Sequence, residues 1–552
     1  MLHRLRLGIM LSLVVLLIAC GSTPAATEPT ATTVDATTVA TTAPAEATAT
    51  TAPAEATATT APAEATATTA PAEATATTAP AEATATTAPA EATATTAPAE
   101  ATATTAPAEA TATTAPVGVT IDTTPRQPIS SGPTLLDSRI DVRRVTSVPV
   151  NSIRLVYDGT TSSLLILTMN DGLQRINPSD GKKTIVASTA EMMGAAVPGG
   201  LAVANDGTVY VVGNEAVKTM TKAVIRRGRL NGAKYSWETV ASTEAYPRSD
   251  TPFDHLFNGI VVSNKWIYVS SGSRTDHGEV ESQNGTFADL REAALTSRMY
   301  RFAIDSKDIV LKNDEAAVEP YVYARGFRNA YDPAFAPNGE LFVGDNGPDA
   351  DLPDELNWVR QGGHFGFPWR FGDIDNPQRD PAYDPAKDLR LQPDFTAVQI
   401  GAYRNDPSYP AAPGKFLDPI INQGPAATNY RGADGKSYDA AQEGKTLAGL
   451  TPHRSPLGLV FADQTFPKSW QGAGKTLNGF LLSWGAAGGT LPDRGQDMLA
   501  LQLSKSGNNY TMTARQIVRD LRNPIDSAIV DDKIYVLEFG DKVAIWEFTF
   551  HE

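Results

Sequence analysis

From about residue 138 the chain reads as a succession of short apolar runs, each broken by a polar turn and followed by a second run rich in valine and aromatic residues. The pattern is plainest in LAVANDGTVYVV (201–212), IVVSNKWIYVSS (260–271), PAFAPNGELFVG (333–344) and SAIVDDKIYVLE (527–538). Weaker copies stand at RLVYDGTTSSLLIL (154–167) and at LGLVFAD (457–463), the latter followed by FLLSW (480–484). Apolar runs of strand length with Asn, Asp and Gly between them predict antiparallel hairpins, because those residues tolerate the backbone of tight turns. No long amphipathic helix interrupts them. About six such units in series fit an all-β, six-bladed β-propeller better than a β-sandwich. The last strand, around 543–548, is expected to pair with one near 140–145 and close the ring. Residues 371–450, rich in Pro, Asp and Gly, have little periodicity and read as an insertion between blades.

The first part of the chain has a different texture. Residues 1–20 carry Arg4 and Arg6, then an apolar run too short to span a bilayer, then Leu-Ile-Ala-Cys. This resembles a bacterial lipoprotein signal, in which Cys20 would be acylated and become the mature N-terminus. Residues 21–135 form a second region, in which PAEATATTA repeats eight times between Pro44 and Ala115. The repeat has no aromatic or large aliphatic residue, so it cannot bury enough surface to offset chain entropy, and a proline in each copy prevents a continuous helix. It reads as a disordered tether, reaching about 300 Å if extended as polyproline II at ~3.1 Å per residue. Residues 136–552 make the folded domain. Cys20 is the one cysteine in the sequence, so that domain contains no disulfide. Half of the formal charge of −16 belongs to the first 116 residues, where ten acids face two arginines. The remainder is mildly acidic with no basic stripe, which argues against nucleic acid as a partner.

Position within the repeat points to candidate chemistry. The innermost strand of a blade lines the central channel, so the residues just before it crowd one face. Those residues are Pro198-Gly199, Asp254-His255, Arg328-Asn329, His453-Arg454 and Arg522-Asn523. Three arginines with histidines on an acidic domain suit a compact anion, since guanidinium groups pair bidentately with carboxylates. The alternative is that the arginines pair with acids of the blades and hold the ring together. His277, in a polar loop, is expected to be exposed, and His364 in GGHFGFPW to pack in a turn.

The stretch GFRNAYDPAFAPNGELFVGDNGPDADLPDE (326–355) resembles the soluble quinoprotein glucose dehydrogenase and sorbosone dehydrogenase family, six-bladed propellers that oxidise sugars with pyrroloquinoline quinone (PQQ) and calcium. The resemblance implies that Arg328 and Asn329 contact the quinone, a tricarboxylate that also suits the ring to which Arg454 and Arg522 belong by position, and these two are expected to complete the cofactor site. It implies that main-chain carbonyls of Gly347 and Pro348 bind calcium, a hard cation that accepts carbonyl oxygen. It also makes His255, beside Asp254 and Arg328, the general base that takes the sugar hydroxyl proton. Asp354 and Glu355, with Asp349 and Asp351, either offer oxygens to a second calcium or form a solvated loop. Two positions depart from the family: Pro198 stands where glucose enzymes place an amide, and Gly485, with Arg494 nearby, falls near a cofactor-binding lysine. The implied activity is oxidation of an aldose or polyol outside the cytoplasm, at the bacterial membrane, with electrons passing to a quinone or cytochrome. A glycan- or protein-binding propeller and a calcium-dependent lactonase are the competing readings. If Cys20 carries the lipid, Cys20→Ser should leave the precursor unprocessed or move the protein out of the membrane fraction, as fractionation and immunoblotting would read.

Overall fold

Each hairpin pattern in the sequence becomes the inner pair of strands of a sheet in the computed structural model, which describes residues 132–232, 234–485 and 488–552. The signal and nearly all of the tether, through residue 131, lie outside the described residues. The first sheet runs Ser152–Asp158, Ser163–Thr168, Gly172–Ile176 and Lys183–Ala187 in simple succession. The second begins with Val197–Val203, the third with Phe257–Val262, the fifth with Pro456–Phe461 and the last with Pro524–Val530. The arrangement is that of a β-propeller. Its closure is the expected one: Ala544–Phe550 pairs antiparallel with Ile140–Ser147, and Arg143 clasps Glu547 at 2.7 Å across that pair.

The expectation of six blades needs correction. Five sheets have four or more strands, but the sheet of Ala334–Phe335, Leu341–Asp345 and Glu355–Val359 stops at three. The segment after Val359 goes to a neighbour instead. Arg325 donates its amide to Gly363 and accepts one from Phe365, so residues around His364 extend the third sheet at its outer strand Val322–Arg325. Nor is 371–450 wholly separate from the blades. Ile421–Pro425 adds a parallel strand beside Asn509–Arg519 in the fifth sheet. Another part of it packs Phe371, Ala397 and Tyr403 against Phe253, Ala350 and Leu352 at the mouth of the channel.

The sheets converge on one buried cation. Arg154, 2% exposed in the first inner strand, gives its Nε–H to the Gly199 carbonyl at 2.9 Å and its Nη2 hydrogens to Asn258 and Tyr331 carbonyls at 2.7 and 3.1 Å. Its guanidinium lies 3.5 Å from the centre of the Tyr331 ring. Two carboxyls complete the hub: Asp526 accepts the Leu155 amide at 2.8 Å, and Asp332 accepts the Leu459 amide at 2.9 Å. Burial raises both carboxyl pKa values, Asp526 to about 6, and the Asp526 charge raises Asp332 further, while Arg154 opposes the rise.

Removing the cation should therefore leave two acids in an apolar centre. Arg154→Met is expected to cost about 3–5 kcal/mol, read as a lowered urea midpoint. In the wild type Asp526 holds, when folded, a proton that the unfolded chain releases near pH 4, so its protonation adds stability that is fully present below that pH and is lost as pH rises through about 6; this pH dependence should be absent from Asp526→Asn.

Candidate active site

The loop that enters the third sheet places a histidine against the channel. His255 is 5% exposed; its amide donates to the Ser273 carbonyl at 2.9 Å, and Nδ1 stands 3.3 Å from Ser273 Oγ. Its Nε2 is buried with no hydrogen-bond partner. The ring borders a cavity of about 70 Å³ whose wall includes Pro198, Asn214, Asn258, Asn329 and Tyr331. Burial, and then the charge of Arg328, push the imidazole well below its ordinary pKa, so the ring is neutral. Asp254 beside it faces elsewhere: one oxygen takes the Ser249 amide at 2.9 Å, and burial lifts the carboxyl to about 7.

Arg328 and Asn329 meet His255 from the next sheet. Both of their amides are held by Asp345, at 3.0 and 2.5 Å, which fixes the turn ahead of the strand. Asn329 Oδ1 accepts from Asn258 at 2.7 Å, and the Arg328 carbonyl accepts the Ser273 amide. The guanidinium is tied to Asp276, with Nη2 2.7 Å from a carboxylate oxygen and Nε 2.8 Å from the main-chain carbonyl. Burial works against the Asp276 charge, but Arg328 and His277 outweigh it and hold this carboxyl below the usual range. His277 corrects the expectation of an exposed residue. It is fully buried, its Nδ1 2.8 Å from Asp276, and its ring stacks on Tyr403 at 3.8 Å. The polar sequence around it is covered by the aromatic side of 371–450, which residue-by-residue patterning does not register.

The loop after Leu341–Asp345 brings Gly347 and Pro348 to the same end of the propeller. Asp354 fastens it, accepting the amides of Gly347 and Ser455 at 2.7 Å each, while the Pro348 carbonyl takes the Ala350 amide at 2.8 Å. The acids of the loop are spread over separate partners, Asp351, Asp354 and Glu355 buried and Asp349 half-buried, so it is not a solvated loop. Asp349 accepts from the Ala397 amide, Asp351 from Arg431 and His453, and Glu355 from the Gly372 amide and Asn357. Burial raises Asp349 to about 6 and Glu355 to about 8. Among the described residues no three acidic, histidine or cysteine side chains are grouped to hold a metal. Asp354 and Glu355 act here as anchors of the main chain.

The expected ring of arginines is only partly assembled. Arg454 is enclosed by Asp493, Asp497 at 2.6 Å and Ser483 at 3.0 Å within its own sheet. Arg522 is exposed, and its guanidinium reaches the Lys542 carbonyl at 3.3 Å. Arg494 is exposed and donates to the Gly489 carbonyl, and Gly485 sits at φ 113°, where an added Cβ would meet Gln496. His364 packs between Trp369 and Phe416, as expected.

Ser273 and Asp276 are the polar neighbours that the sequence reading passed over. In an antiparallel hairpin the exit of the second strand lies beside the entrance of the first, so the run after Ser271 had to meet Asp254-His255. Counting exits as well as entrances would have found them.

Comparison with known proteins agrees with the motif. Residues 156–381 match the family model described as glucose / sorbosone dehydrogenase. A segment of 51 residues is 41% identical to quinoprotein glucose dehydrogenase B of Acinetobacter calcoaceticus, covering 9% of this chain and 10% of that protein's length. Among solved structures, the apo soluble aldose sugar dehydrogenase of Escherichia coli is 14% identical with a TM-score of 0.45, covering 74% of this chain and 99% of its own. The PQQ-bound aldose sugar dehydrogenase of Streptomyces coelicolor is 15% identical with a TM-score of 0.43, covering 75% and 99%. In its propeller region, the chain resembles the glucose/sorbosone dehydrogenase family.

Proposed function

We propose that this protein is a PQQ- and calcium-dependent dehydrogenase of an aldose or related polyol, with His255 as general base. The observation that carries the reading is the neutral imidazole of His255, whose unpartnered Nε2 borders a cavity shared with Asn329 and backed by Arg328. A base needs a lone pair and access to the proton it removes, and burial without a partner is otherwise costly.

The residues fit the cofactor along one edge. Arg328 supplies a guanidinium for a carboxylate or quinone oxygen, Asn329 an amide, and the Gly347–Pro348 turn main-chain oxygen for calcium. When bound, PQQ supplies the hydride acceptor and calcium the polarisation that makes it electrophilic. The chain's own task is then threefold. His255 Nε2 takes the hydroxyl proton, Asp345 and Asp276 keep Arg328 and Asn329 in place, and the cavity walls exclude water from the carbon that loses hydride. One guanidinium at the site rather than three favours a weaker hold on an anionic cofactor, and it is also what a non-catalytic glycan-binding propeller would display. Signal, tether and Cys20 support a location outside the cytoplasm on the bacterial membrane, with an external quinone or cytochrome as electron acceptor.

Titration of the purified protein with PQQ in calcium, followed by dye-linked activity on aldoses, tests the reading. Saturable binding at micromolar cofactor is expected, and its absence would sink the assignment. His255→Ala should lower turnover roughly 10²- to 10⁴-fold while leaving PQQ affinity nearly intact. Arg328→Ala should instead raise the PQQ dissociation constant, because a charge-assisted contact is lost.

A further inference from the structure

We infer that Ser273 is a positioning residue that fixes the tautomer of His255, leaving the proton on Nδ1 and the lone pair on Nε2 toward the cavity. The inference rests on the proposed role of His255 but is argued from hydrogen bonds alone. Ser273 is fully buried, its hydroxyl lies 2.7 Å from the Thr275 carbonyl, and it lies 3.3 Å from His255 Nδ1. A carbonyl only accepts, so the single hydroxyl hydrogen goes to Thr275. Toward the imidazole the serine oxygen can then only accept, which requires a hydrogen on Nδ1.

Nε2 has no protein partner in either tautomer, so the choice is made at Nδ1. In the opposite tautomer the bare Nδ1 would face an oxygen whose hydrogen is already given to Thr275, two lone pairs against each other, and that contact selects the tautomer with hydrogen on Nδ1. The ring is also held from its main chain. His255 donates to the Ser273 carbonyl and Ser273 donates to the Arg328 carbonyl, so base, positioning serine and guanidinium share one ladder. Gly272 permits that closeness, since a Cβ there would lie 2.3 Å from His255 Cβ and 3.0 Å from the Arg328 carbonyl. The hydroxyl also has a chemical consequence. Unlike a carboxylate it gives the imidazolium no ion pair, so a proton taken by Nε2 is readily passed on.

Long-range ¹H–¹⁵N correlation spectra of the full chain, labelled at its six histidines, read the tautomer without cofactor or sugar. The His255 signal is identified by its loss in His255→Gln. The expected result is hydrogen on Nδ1 and a bare Nε2 in the wild type, with mixed tautomers in Ser273→Ala and recovery in Ser273→Thr. Turnover in Ser273→Ala should fall about two- to tenfold, in proportion to the share of rings that lose the bare Nε2, with KM little changed. A wild type protonated on Nε2, or a Ser273→Ala that keeps the Nδ1 tautomer entirely, overturns the assignment. A wild type with the expected tautomer but no dehydrogenase activity would remove the proposed reaction and leave the assignment standing.

Discussion

The propeller depends on one guanidinium in its centre. Inner strands present carbonyls and small residues to the axis, and each sheet alone leaves some of those groups short of partners. Arg154 answers three carbonyls from three different sheets, while Asp526 and Asp332 answer amides from two more. Every unit of the ring thus contributes an atom to a single polar cluster. Such a cluster has value only when complete, because a half-satisfied buried network is worse than an apolar one. The hub therefore has its full set of partners only when the ring is closed.

That centre sets the position of the candidate site. Tyr331, whose carbonyl and ring hold Arg154, follows Arg328 by three residues and Asn329 by two, and Asn258 gives its carbonyl to Arg154 and its side-chain amide to Asn329. The axis and the mouth are thus joined by covalent steps of a few residues. His255 reaches the same frame through Ser273 and the Arg328 carbonyl. The axis and the cavity are thus joined through main chain and not through long side chains, and the neutral imidazole of His255 is held without a salt bridge of its own.

How much of this could be read from the chain varies with the range of the interaction. Hairpins were legible because alternation and turn residues are local, and the closing pair was legible because apolar runs stand at both ends of the propeller segment. That His255, Arg328 and Asn329 lie close together was legible because strand entrances in a propeller gather at one end, whereas Gly347 and Pro348 were singled out by the family motif alone. Arg454 misled: the two aspartates that enclose it, Asp493 and Asp497, lie some forty residues on, and no local pattern announces a pairing of that separation. His277 misled for a similar reason, since Tyr403, which covers it, lies within a segment without periodicity. The three-stranded sheet was invisible because its would-be fourth strand is not missing but lent to a neighbour. Arg154 looked like an ordinary strand residue, and only the convergence of sheets gives it its role.

The segment 371–450 brings donors to acids that it does not itself contain. The Ala397 amide meets Asp349, Arg431 meets Asp351, and Tyr403 reaches Asp276 and covers His277. Excising it would take a donor from each of three carboxyls at once, leaving Asp276 to Arg328 and His277 and Asp351 to His453. Loop and acids are thus a matched set, each a liability alone. A related chain that lacks the loop should carry apolar or neutral residues at the positions of Asp349 and Asp351, so the length of this segment and the charge of the channel mouth are expected to change together.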